Sequence, residues 1–291
     1  MRTVLVGAVL GIAVVSVELA EGALHIQDRP RAAASVADRL ARETGSTWAL
    51  ARIRAEDGVP LSAWLLTPSR SNGAVAILLH GVGDSRVEMA GRAGLLLRAG
   101  YAALLPDSRG HGVSGGTTVG YGFREASDLR GWSDWLAQWH PEWRQYGLGL
   151  SMGGAVLLES LAGPTRLRSA VAEGSFATFE EIAYDRMHQR FSLPGPAFWP
   201  VVQLAFLYTR GRYGIDLGRI SPEDSLRATR VPVLLIHGAR DNNVPPRHSM
   251  ELEAANPRAA ELWLVPGAGH IDCPDVGGSE YQRRVLAWFE K

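Results

Sequence analysis

The chain has 291 residues, 46% hydrophobic and 21% charged, and its 30 basic and 30 acidic residues give a formal net charge of zero. That balance suits one large globular core and predicts neither a nucleic-acid groove nor a strongly charged partner surface. The single cysteine, Cys273, excludes an intramolecular disulfide and a cysteine-based zinc site, and the eight scattered histidines include no His-Glu-x-x-His pair, so no metal and no cofactor are expected.

Thr3 to Val17 runs for fifteen residues without a charge, preceded by Arg2 and followed by Glu18 and Glu21. That length fits the apolar stretch of an export signal better than a full span of about 20 residues. No clean small-x-small cleavage site follows, because glutamates surround Ala20 and Ala23. Residues 1–25 are read as a hydrophobic anchor or signal, with uncleaved anchor, cleaved signal and plain soluble segment as the alternatives in that order. Membrane association through residues 3–24, with the catalytic domain outside the cytoplasm, is the corresponding expectation. Residues 26–46, polar and alanine-rich from Arg29 to Thr44, are expected to form an exposed linker helix.

Residues 47–291 read as one domain. Trp48 to Ala55 and Leu61 to Thr67 alternate apolar and polar residues around Asp57-Gly58, which predicts an antiparallel hairpin. Beyond it the pattern changes to continuous apolar runs at Ala74 to Leu79, Tyr101 to Leu105, Tyr146 to Leu150, Leu167 to Ala172, Val233 to Ile236 and Leu262 to Val265. Helical stretches separate them, at about Met89 to Ala99, Glu125 to Gln138, Ala155 to Leu161, Arg247 to Ala255 and Tyr281 to Glu290. Strands apolar on both faces and alternating with helices predict an α/β fold with a mostly parallel sheet and helices on both faces.

Gln145 to Gly163 places a serine between such a run and a helix. In GLGLSMGGA, Gly149, Ser151 and Gly153 form a G-x-S-x-G pattern, which puts a nucleophile on a sharp turn at a helix N-terminus. With glycine at 33 of 291 positions a chance match is a live alternative, and Gly112, Ser114 and Gly116 supply one, in a segment with loop-like residues on both sides. Context selects Ser151.

Ligands of open α/β sheets bind beyond the carboxyl ends of strands. There the sequence places HGVGD, whose Val82 N–H could join that of Met152 around an oxyanion, and PDSRGHG, where Asp107 and Arg109 suit a loop-bracing pair better than a substrate clamp. Asp241 in HGARDNNVP and His270 in PGAGHIDCP each follow a strand by five residues, and Glu173 is a second acid candidate. A serine needs a base, and the base needs a carboxylate to fix its tautomer. Ser151, Asp241 and His270 stand in the order that this chemistry takes on such a sheet.

The stretches LLHGVGDSR, PDSRGHGVSGG, GLGLSMGGA, LLIHGARDNNVP and PGAGH together resemble the landmarks of the α/β-hydrolase superfamily, from about Trp48 to the C-terminus. Within it the chain resembles the bacterial serine aminopeptidase-like or plain α/β-hydrolase subgroup, some members of which carry an N-terminal anchor. The resemblance implies the α/β-hydrolase fold, Ser151 as nucleophile, His270 as base and then acid, Asp241 as orienting carboxylate, and Val82 and Met152 as oxyanion donors.

Between Ala172 and Val231 the connection is longer than a strand–helix link requires and is dense in aromatic residues, so a small helical lid at about 175–218 is expected, with Phe176 to Arg190 helical. Phe176, Phe198, Trp199 and Phe206 are its candidate substrate contacts, the alternative being that such residues merely pack the lid or touch a membrane. The resulting expectation is a serine hydrolase that cleaves small, hydrophobic carboxylic esters or thioesters through an acyl-enzyme. Amide or peptide hydrolysis is the alternative if a carboxylate such as Glu173 faces the pocket, and a non-catalytic ligand-binding member of the fold is a further one.

Overall fold

The computed structural model of the protein describes residues 2–26, 30–191 and 194–291. The start of the expected linker helix at Arg29 and residues 192–193 of the expected lid lie outside the described residues. In chain order the elements are α1 (Arg2–Leu24), α2 (Ala34–Thr44), β1 (Ser46–Arg54), β2 (Pro60–Pro68), β3 (Ala74–Leu79), α3 (Ala90–Arg98), β4 (Ala102–Pro106), α4 (Glu125–Trp139), β5 (Arg144–Leu150) and α5 (Met152–Ser160). They continue with β6 (Leu167–Glu173), α6 (Phe179–Phe191), α7 (Trp199–Tyr213), α8 (Pro222–Ala228), β7 (Val233–Gly238), α9 (Arg247–Ala255), β8 (Ala260–Val265) and α10 (Cys273–Phe289).

The strands form one sheet in the order β1-β2-β4-β3-β5-β6-β7-β8. The hairpin closes with Arg54 opposite Pro60, and β2 is antiparallel to both β1 and β4, so β2 alone runs against the others. Successive side chains of a strand point to opposite faces. In β3, Ala76 and Leu78 therefore pack under α2, α3 and α10 with Leu40, Leu96 and Phe289, while Val75, Ile77 and Leu79 pack under α4, α5, α8 and α9 with Trp132, Val156, Leu226 and Leu252. Both faces are covered, which is why these strands carry unbroken apolar runs.

α2 differs from the exposed linker helix expected of it. It buries Ala37, Leu40 and Ala41 against the core, and Asp38 accepts a hydrogen bond from the Trp48 indole at 2.8 Å. The connection from β6 to β7 contains α6 and α7, which with Leu24, Phe176 and Leu217 make a third apolar cluster above the carboxyl ends of the strands. α1 lies against α7. Among the described residues, no helix is long and apolar enough to cross a membrane.

Candidate active site

The turn between β5 and α5 holds Ser151 at φ 54° and ψ −117°, a left-handed backbone that costs a non-glycine residue on the order of 1–3 kcal/mol. Close packing on either side keeps it there. A Cβ on Gly149 would lie 2.2 Å from the Gly153 carbonyl oxygen, and one on Gly153 would lie 2.3 Å from that of Leu79, so only glycine lets strand and helix approach this closely. The Ser151 N–H donates to the Glu173 carbonyl at 2.7 Å, tying the turn to the end of β6.

Two other strand ends bring a base and an acid to this serine. His270 Nε2 lies 2.9 Å from Ser151 Oγ, and His270 Nδ1 lies 2.6 Å from Asp241 Oδ2. A carboxylate oxygen only accepts, so Nδ1 carries the proton and Nε2 is left to face the hydroxyl. Asp241 is itself fixed: its Oδ1 accepts the N–H groups of Asn243 at 2.8 Å and Val244 at 2.9 Å. Burial pushes the Asp241 carboxyl up, but hydrogen bonds from His237 and His270 outweigh it and hold the group well below the usual carboxylate range.

His237 is the residue that the sequence reading passed over. It is wholly buried, with Nδ1 2.6 Å from Ser249 Oγ and Nε2 2.9 Å from the Val244 carbonyl and 3.2 Å from Asp241 Oδ2. Its signal was present in LLIHGARD, one turn before the acid.

The loop after β3 presents one free donor among tied neighbours. Gly81 N–H donates to Glu88 Oε2 at 2.7 Å and Gly83 N–H to His111 Nε2 at 3.1 Å, whereas the Val82 N–H between them has no partner among the described residues. His80 braces the loop by accepting the Ser108 N–H at 3.0 Å and meeting the Gly81 carbonyl at 2.7 Å. Met152 opens α5, so its N–H is one of the unpaired donors of a helix start. A Cβ on Gly81 would stand 3.6 Å from Ser151 Cβ, so the Val82 loop and the serine are close neighbours.

Ser151, Val82 and Met152 border a cavity of about 640 Å³, whose lining is mainly apolar. Phe176 and Phe206 line it. Phe198 and Trp199 are not among the lining residues: the Phe198 ring lies tilted against Phe191, centroids 5.5 Å apart, and Trp199 is 58% exposed. The sequence reading missed Tyr121, Phe179, Ile182, Arg186 and Val244, together with a whole face of α1. Its charged lining groups, among the described residues, are Glu18, Arg186 and Arg190.

Three other candidates are engaged elsewhere. Ser114 is buried, donating to the Asp107 carbonyl at 2.8 Å and accepting the Ser62 N–H at 3.0 Å. Asp107 and Arg109 do not pair with each other: Asp107 takes Arg86 at 2.7 Å, and Arg109 takes Asp57 and Asp128. Glu173, 1% exposed, is bound by Arg92 Nε at 2.9 Å and by the Tyr281 hydroxyl, so its carboxylate does not face the cavity.

The sequence profile of the Alpha/beta hydrolase family matches residues 76–282. The uncharacterized protein YqkD of Bacillus subtilis is 28% identical over 217 residues, 74% of this chain and 70% of its own. YfhR of Escherichia coli, also uncharacterized, is 26% identical over 245 residues, 80% of this chain and 77% of its own. Among solved structures, the Pyrococcus furiosus esterase Pf2001 superposes with a TM-score of 0.72 at 26% identity, covering 90% of this chain and 97% of that one.

Proposed function

Because the chain belongs to the alpha/beta hydrolase family, we propose that it is a serine hydrolase that cleaves carboxylic esters or thioesters with a hydrophobic acyl group. The observation that carries this reading is the unbroken line Asp241–His270–Ser151, with spacings of 2.6 and 2.9 Å, at the edge of an apolar cavity. The similar Pyrococcus furiosus protein Pf2001 is an esterase.

In the reaction Ser151 Oγ attacks the substrate carbonyl while His270 Nε2 takes its proton, and Asp241 stabilises the imidazolium that results. The oxyanion is received by the N–H groups of Val82 and Met152, which need no reorganisation because neither has another partner among the described residues. His270 then gives its proton to the leaving alcohol or thiol. A water, deprotonated by His270, attacks the acyl-enzyme, and the carboxylic acid leaves with Ser151 restored.

The charges at the cavity disfavour the aminopeptidase alternative. A substrate ammonium needs an acid, yet Glu173 is sequestered, and Glu18, the one lining carboxylate among the described residues, is outnumbered by Arg186 and Arg190. An assay of p-nitrophenyl esters, acyl thioesters and aminoacyl-anilides separates these readings. Ester or thioester turnover that Ser151→Ala abolishes, with fluorophosphonate labelling at Ser151, is the expected result. Faster cleavage of the anilides, or labelling at another serine, overturns it.

A further inference from the structure

We propose that residues 15–24 of α1 form the outer wall of the Ser151 cavity and determine which acyl chain it accepts, an inference that rests on the hydrolase reading above. On this account residues 15–24 are a working part of the site.

The lining of the cavity carries the first part of the argument. Val15, Glu18, Leu19, Gly22 and Ala23 all border it, and their spacing of three and four residues is that of one helix face. Leu19 is the large apolar group on this face, while Gly22 and Ala23 next to it leave room. Phe176, Phe179 and Phe206 line the same cavity. A chain entering from Ser151 therefore meets both these aromatic residues and α1.

The fastening of α1 carries the second part. Leu24 is fully buried in the cluster that contains Phe176 and Phe206. Glu21 Oε1 accepts hydrogen bonds from both Tyr208 and Tyr213 of α7, each at 2.6 Å. The last carbonyls of a helix lack internal donors. Here they are met by the body of the protein: Tyr121 Oη donates to the Ala23 carbonyl at 2.8 Å and Val119 N–H to that of Leu24 at 2.9 Å. Tyr121 also lines the cavity, so the group that ends α1 borders the same space. Cleavage near Ala20 or Ala23 would remove the wall and expose Phe176 and Phe206.

Two substitutions in the full-length chain test the wall in opposite directions. Ala23→Leu should lower the ratio of kcat/KM for p-nitrophenyl octanoate over acetate at least fivefold, and Leu19→Ala should move the preferred acyl length upward. A ratio within twofold of the parent in both variants, whatever the overall rate, overturns the proposal. A second readout does not depend on turnover: fatty acids of four to twelve carbons displacing anilinonaphthalene sulfonate from the Ser151→Ala protein. Absence of both ester and thioester cleavage by the parent would refute the hydrolase reading alone, and the displacement series would still decide the wall, since its chain-length profile must shift with Ala23→Leu and Leu19→Ala.

Discussion

Replacing Gly153 by alanine perturbs catalysis without touching any group that reacts. The added Cβ would fall 2.3 Å from the Leu79 carbonyl oxygen, 2.6 Å from its carbon and 2.8 Å from the His80 carbonyl oxygen. These are backbone atoms, so no side chain can rotate away. Relief requires α5 and the end of β3 to separate by roughly 1 Å, and a displacement of that size at reacting groups can cost about 100-fold. The two moving parts carry the two proposed oxyanion donors, Met152 and Val82, and α5 also carries Ser151 at its start, while His270 and Asp241 are anchored on other strand ends. We therefore expect kcat/KM for an ester to fall about 100-fold, equivalent to ~2.7 kcal/mol, with fluorophosphonate labelling slowed in parallel. Overpacking should also lower stability by about 1–3 kcal/mol. The matched control is Gly163→Ala, where a Cβ meets nothing within 4 Å. Stopped-flow kinetics and thermal unfolding of both variants check the result. Activity of Gly153→Ala within threefold of the parent would falsify the assignment of the oxyanion donors to these two elements.

Ser114→Ala should retain turnover and labelling at Ser151 but lose about 1–3 kcal/mol of stability, because it strands the buried Ser62 N–H and Asp107 carbonyl; urea unfolding and labelled-peptide mapping check this. Glu173→Gln leaves Arg92 buried without its counter-charge and should destabilise by about 3–5 kcal/mol, with no change in the ratio of ester to anilide cleavage. The Asp241 carboxyl has a folded pKa below its unfolded one, so its contribution to stability is present above about pH 4 and is lost as pH falls toward the folded value. The gap in urea midpoint between the parent and Asp241→Asn should accordingly narrow from pH 6 to pH 3, and a gap that widens contradicts the sign.

Strands buried on both faces were easy to read because every residue in them is apolar: Ala74–Leu79 has the same limits in the sequence reading and in β3. Helices that begin with breakers were not. α10 was expected from Tyr281, but it starts at Cys273, since Pro274 is tolerated in a first turn and Gly278 adopts non-helical angles inside the merged helix. α5 was placed from Ala155, whereas it starts at Met152 with Gly153 and Gly154 inside it, held there by close packing that composition cannot reveal. The proposed catalytic line was legible because each member follows an apolar strand. The cavity was legible only in part. Its α1 face depends on Tyr208 and Tyr213, almost two hundred positions away in the chain, and an uncharged run read alone looks like an export signal.

The Val244 backbone joins two sites that are usually considered apart. Its N–H holds Asp241 Oδ1, its carbonyl meets His237 Nε2, and the same residue borders the cavity. Next to it, Asn243 takes the Arg186 guanidinium, which also borders the cavity, and gives its own N–H to Asp241. An occupant that presses on this stretch also presses on the cradle of Asp241, the carboxylate proposed to orient His270. Substrate fit and proton transfer then share a mechanical linkage, and across a series of acyl lengths kcat and KM should change together, so that a poorly fitting chain is turned over slowly even at saturation.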